Sequence, residues 1–432
     1  MQRSFGAVTL VAGLSFGFLL VSVRSSAVPL PQGPSVSMIA ITGEGARYWP
    51  RWRGPSGQGM VSGTGYPDKW SATENVLWKV PVPGAGNSSP VIWGDRIFLT
   101  TARDGGRRLS LLAFNRSSGA QLWEAFAPDG GAESVHNKNG HASATATTDG
   151  KLIYVSFGSR GLMAFDFEGK LVWRQDLGAI NNYWGTAGSP LLYQDRVILY
   201  QDQQRNSFIA AFDAATGKQL WRTARNASVG WGTPVAINAN GRDEIVVNGQ
   251  YAVVAYNPNN GAEFWRVSGT TMEVVPTVVV GHGLLYSSSG RAGPTLAIRP
   301  GGQGDVTGTH LAWSSPRGSP FIPSPILHED QLYMVNDMTS IATAFHAKTG
   351  ETVWQSRLGE AYREGFSASP VVVDGKIFFT NDQGETFVLR GGSQFDLLHV
   401  NNIGERTLAS PALVDGRWYI RTAGNLFAIG TR

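Results

Sequence analysis

The chain has 432 residues, no cysteine, 16% charged residues and a net charge of +4. The absence of cysteine excludes disulfides, thiol nucleophiles, thiolate metal sites and thioether-linked haem. The small net charge comes with no basic run, so nothing marks a nucleic-acid-binding surface. The 54 glycines and 14 tryptophans suit many short strands joined by tight turns, with large aromatics filling the core.

The chain opens with Arg3 and an uncharged, mostly apolar stretch over residues 5–23. Small residues follow at Ser25, Ser26 and Ala27. This is the pattern of a cleavable export signal. The stretch is also just long enough to span a bilayer as a retained anchor. A lipoprotein signal would need a cysteine. The expected organisation is a signal or anchor over 1–27, a linker over 28–47, an N-terminal strap over 48–69 and a repeat domain over 70–432. The strap contains YWPRWRGPSGQG. Its Arg51 and Arg53 are expected to pack with Trp49 and Trp52 across one face of the domain.

A repeat then runs to the end of the chain. Its units start at Ser89, Thr145, Ser189, Thr233, Thr277, Ser324, Ser369 and Ser410. Each start leads into two apolar strands around a tight turn, as in SPVVVDGKIFFT. The second half reads AFDAATGKQLW in its clearest copy, ending at Trp221. There Asp folds back on the turn backbone and Gly takes the positive φ the turn needs. Trp123, Trp173, Trp265, Trp313 and Trp354 occupy the same place in other copies. Their regular recurrence points to packing between neighbouring units rather than to chemistry.

Four strands per unit and eight units predict an all-β, eight-bladed β-propeller of four-stranded antiparallel blades. The last unit ends after three strands. The segment ENVLWKVPVPG, with Trp78, precedes the first start. This N-terminal strand is expected to complete the C-terminal blade, which removes exposed sheet edges. Seven blades are the alternative, because the Thr145 unit lacks the usual proline.

Propeller function usually sits on loops around the axial mouth. Residues just before the starts are the candidates: Asn87, His141, Trp184, Trp231, Glu273, Phe321, Arg363, Glu364, Glu405 and Arg406. Trp184 and Trp231 lie outside the repeating Trp position. They either plug the channel or offer a stacking floor. His136 and His141 share a Gly/Asn-rich loop, but their spacing is not diagnostic of a metal site. No metal site is expected, and no catalytic residue is assigned. GGQG, residues 301–304, lacks the lysine and helix of a phosphate loop.

The repeated Asp-x-x-Thr-Gly-x-x-x-Trp pattern resembles the PQQ-like (pyrroloquinoline-quinone-like) propeller repeat family over residues 70–430. Residues Tyr48 to Gly59 and His136 to Trp173 look like a secreted bacterial subgroup. The resemblance implies one of two branches. In the first, non-catalytic periplasmic lipoproteins assist outer-membrane β-barrel assembly; this chain lacks the lipidated cysteine. In the second, alcohol and sugar dehydrogenases hold PQQ with calcium at the axis; this chain lacks their paired cysteines, haem motif and long loops.

The leading expectation is therefore a non-catalytic, exported binding or scaffold protein of the cell envelope. It would be periplasmic or secreted, monomeric, and partnered by an envelope protein or peptide, with no cofactor. Membrane contact would come only through the N-terminal segment. A small quinoprotein is the alternative. The resemblance then implies calcium on Glu273 or Glu364, PQQ carboxylates on Arg406 or Arg363, and Trp231 beneath the quinone, with Trp184 and His141 nearby at the mouth. A glycan-binding propeller using the same tryptophans is a further alternative.

Overall fold

A computed structural model describes residues 35–431, except Ser62, Ala292, Arg317 and residues 362–364. The expected signal or anchor over 1–27, and candidates Arg363 and Glu364, lie outside the described residues.

Eight four-stranded antiparallel blades form the ring, two of them extended by further short strands. Blade 1 comprises Val91–Trp93, Arg96–Arg103, Arg108–Asn115 and Gln121–Phe126. Blade 2, the unit without proline, is regular despite a two-residue inner strand, Thr147–Thr148. Eight blades, not seven, are therefore present. Blade 8 pairs Ala412–Val414, Arg417–Arg421 and Asn425–Ile429, and Val76–Pro81 adds its outer strand. The ring thus closes through the N-terminal strand, as the repeat count requires.

The Trp and Gly of the repeat meet across blade boundaries. The indole N–H of Trp173 donates to Ala214 O of the next blade at 2.9 Å. Trp78, Trp123, Trp221, Trp313 and Trp354 donate likewise to Arg116, Phe167, Pro258, Ala347 and Gly392. The turn glycine beside that acceptor lies flat on the ring: a Cβ on Gly217 would sit 2.6 Å from Trp173. Asp213 shapes this turn by accepting from the Thr216 N–H and hydroxyl at 2.8 and 2.6 Å. Those bonds hold its carboxyl below the ordinary range.

Trp265 departs from the pattern. In blade 5, residues 299–310 replace the tight turn that would offer the carbonyl. Their Gly304–Asp305 strand instead adds in parallel to the outer strand of blade 4, Glu263–Ser268. Trp265 N–H donates to the fully buried Glu244 carboxylate at 2.8 Å. Arg242 also donates to that carboxylate, at 2.9 Å.

At the axis the Ser/Thr starts form a second belt. Seven consecutive starts, from Ser89 to Ser369, donate their backbone N–H to the next start's side-chain oxygen at 2.9–3.2 Å. A short hydroxyl side chain meets this need, which accounts for Ser or Thr at the seven starts from Thr145 to Ser410. Between blades 8 and 1, the buried Arg421 donates to Ser88 O and to Thr100 O.

The segment before the ring runs across the lower channel mouth, the end carrying the turns between first and second strands. Within the expected linker, Val36–Met38 pairs antiparallel with the inner strand of blade 4. Trp49 bridges Ile92 of blade 1, and Pro50 O accepts from Thr148 of blade 2. Arg53 donates to Pro325 O before blade 6, and Gln58 accepts from Val280 of blade 5. Met60–Val61 runs parallel to the inner strand of blade 7. Arg51 and Arg53 are buried and donate to backbone carbonyls. Burial lowers the Arg53 guanidinium to about 9. Among the described residues, no helix is long and apolar enough to cross a membrane.

Candidate functional site: a cup on the propeller axis

With the lower mouth closed, the channel becomes a cup open at the upper face. It encloses ≈ 180 Å³. Trp52 of the strap forms the floor, and all eight Ser/Thr starts line the wall. Above them stand Trp184, Trp231, Val275, Phe321, Ile322 and Leu408.

The aromatic side is tightly organised. Trp184 and Trp231 stack with centroids 5.3 Å apart at 26°. Trp231 N–H donates to Gly185 O at 2.8 Å, which fixes its ring. Phe321 meets Trp184 edge-on, and His136 packs on its other side at 5.2 Å. Arg291 lies over both Trp184 and Phe321.

The opposite side is polar, and most of its groups are bonded within the protein. The loop between blades 1 and 2 crosses the mouth. Asn139 donates to Trp184 O and Thr186 O, and Asn87 donates to Lys138 O. Lys138 reaches blade 7, placing Nζ 2.8 Å from Asp382 Oδ2. Asp337 of blade 6 accepts from the Phe321 N–H at 2.7 Å. Burial pushes the Asp337 carboxyl up to about 6, against the opposing pull of the Phe321 N–H and Lys138. Burial also raises the Asp382 carboxyl, although Lys138 pulls it down.

The chain matches the family described as outer membrane protein assembly factor BamB, a PQQ-like repeat family, over residues 60–139, 109–356 and 338–429. The chain belongs to this family. BamB of Burkholderia pseudomallei (strain K96243) is 22% identical over 328 residues, covering 73% of this chain and 79% of that protein. The crystal structure of BamB from Moraxella catarrhalis superposes with a TM-score of 0.61 at 17% identity, covering 83% of this chain and 97% of that one. The quinohemoprotein alcohol dehydrogenase of Comamonas testosteroni gives 0.65 at 12% identity, covering 90% and 81%. A europium-containing methanol dehydrogenase gives 0.64 at 10%, covering 89% and 98%. Identities this low show a shared fold.

In this BamB-family chain, the candidates read from sequence do not all converge on the cup. Trp184, Trp231, Phe321 and Asn87 line the cup. Glu273 sits behind the tryptophans, accepting from the Tyr183 hydroxyl at 3.1 Å and facing Arg291 at 3.7 Å. Arg406 borders a separate crevice of ≈ 40 Å³ beside Arg421. Glu405 pairs with Lys79 and accepts from Asn425 and Thr422. His141 packs over Gly106 on blade 1 and is not part of the wall.

Sequence reasoning missed Lys138, Asp337, Asp382 and the floor role of Trp52. Asp337 and Asp382 follow the second strands Gln331–Asn336 and Lys376–Thr380, away from the positions that precede the starts. The long spacing of 56 residues between Ser89 and Thr145 was the one available signal for a loop reaching over the mouth.

PQQ with calcium would require several convergent oxygen ligands and counter-charges on the wall. Among the described residues, no carboxylate lines the cup, and the one permanent cation there, Lys138, already faces Asp382. Among the described residues, no group of three or more His, Asp and Glu is placed to hold a metal. This donor set does not fit a calcium ion beside a cofactor bearing several carboxylates.

Proposed function

We propose that this chain is an exported, non-catalytic propeller that binds proteins in the cell envelope and serves outer-membrane or envelope assembly. The carrying observation is the match to the outer membrane protein assembly factor family across nearly all of the propeller. Residues 5–23 would direct export, as an anchor or a cleaved signal.

The upper face supports a protein partner. Tyr183, Tyr251, Met272 and Met338 are exposed there, on turns and loops around the mouth. Tyr, Met and Arg are residue types enriched where proteins meet. Tyr251 and Met272 are neighbours, since Tyr251 N–H donates to Thr271 O. The adjoining Arg291 lies over the aromatic wall.

A photo-cross-linking residue placed at Met272, with a control at Asp415 on the opposite face, tests this in the native cell. Adducts to envelope assembly proteins from Met272 alone are expected. Deletion of the gene should also lower the level of outer-membrane β-barrel proteins. Substrate turnover by the purified chain, or equal adducts from both positions, would overturn the reading.

A further inference from the structure

We infer that the axial cup is an anchor pocket: it receives one aromatic or large aliphatic side chain from an extended segment or loop of a partner protein. This rests on the protein-binding role proposed above and adds where, and by what chemistry, the partner is held.

Three observations point to that occupant. The first is size and shape. An enclosed volume of ≈ 180 Å³ closed by Trp52 suits a single large side chain entering from above. It is small against the roughly 300–1,000 Å³ of ordinary ligand clefts.

The second is the state of the polar wall. Seven of the eight start side chains accept a neighbouring backbone N–H. Asn139 donates to two carbonyls and accepts from Gly140 N–H through its own oxygen. Lys138 faces Asp382. A sugar, which must pair several hydroxyl donors, would find these oxygens already accepting, and unpaired polar groups are costly when buried. An apolar side chain has no such demand. It gains from contact with Trp184, Trp231, Phe321 and Ile322.

The third is the surround. Tyr183 is exposed beside the cup, stacks edge-on against Trp184 at 5.1 Å, and is tied through Glu273 to the Met272 loop. A buried anchor ringed by such a collar is the usual layout of a protein-binding hot spot.

The test uses the purified chain and a phage-displayed library of random 12-residue peptides. Selected peptides should share one Phe, Tyr, Trp, Leu or Met position. Replacing that residue by Ala should weaken binding by about 30-fold or more. Ala187→Trp, and separately Ile322→Trp, fill the cup from its wall. Each should abolish peptide binding while leaving the melting temperature within a few degrees of the parent. Using two filling variants guards against one misfolding.

Peptides with no shared large apolar residue would overturn the anchor pocket, as would peptides that bind both filled variants unchanged. A glycan-array signal lost in the filled variants would overturn it in favour of a sugar. Cross-links from Met272 that persist in the filled variants would sink the anchor and leave the envelope role standing.

Discussion

Lys138 and Asp382 join two distant parts of the ring: the ammonium of the loop between blades 1 and 2 lies 2.8 Å from a carboxylate of blade 7, across the upper mouth. Both side chains are about nine-tenths buried. Such a pair stabilises little as a whole, but breaking it leaves a charge stranded away from water. Lys138→Met should therefore cost about 3 kcal/mol in urea denaturation, whereas Lys138→Met with Asp382→Leu should recover most of that loss. A double variant as unstable as the single one would contradict the account.

Asp337 sets a pH dependence of definite sign. Its carboxyl is raised to about 6 from 3.8 by burial, so the folded state holds the proton over a range where the unfolded chain has lost it. Stability from this group is fully present below pH 3.8, falls as pH rises towards 6, and is constant above. The drop corresponds to about 3 kcal/mol. Asp337→Asn keeps an acceptor for the Phe321 N–H and removes the titration. Its stability relative to the parent should rise between pH 4 and 6, as read from chemical denaturation at a series of pH values. A flat difference across that window would remove Asp337 as the source.

The rung between Trp and turn glycine should be measurable against an internal control. Gly217 has φ of +73° and its Cβ would strike Trp173, while Gly241 has φ of +84° and open space around it. Gly241→Ala should cost about 1 kcal/mol, the strain of a left-handed non-glycine residue. Gly217→Ala should cost about 2 kcal/mol more, because the ring must also shift. Equal losses would mean that turn conformation, rather than contact between blades, explains glycine in the repeat.

PQQ with calcium, titrated into the mature protein, should give no saturable heat and no change in melting temperature. Among the described residues, the wall offers one engaged cation and no carboxylate. Micromolar binding that weakens in Trp231→Ala would restore the quinoprotein alternative and call for a substrate screen.

Local chemistry repeated at a fixed period was legible in the residues themselves. A Ser or Thr start, an Asp-Thr-Gly turn and a terminal Trp each satisfy a neighbour one blade away, so the same need recurs at every boundary. Blade count and closure by Val76–Pro81 follow from counting strands. The exceptions were not legible. Trp265 finds Glu244 because the insertion at 299–310 removes the usual carbonyl, and nothing in the Trp265 segment announces it.

The mouth depends on contacts between residues far apart in sequence. Of the residues preceding the starts, Trp184 and Trp231 line the cup, whereas His141 folds back on Gly106 and Glu273 accepts from the Tyr183 hydroxyl. Asp337 and Asp382 hold the same repeat position, thirteen residues after Ser324 and Ser369, but only the ring closing brings Lys138 to their rim. The strap turns an open channel into a cup because its backbone pairs with inner strands of blades up to about 300 residues away. Short-range order was thus written in the residue pattern, while the site was decided by which loops the closed ring forces to converge.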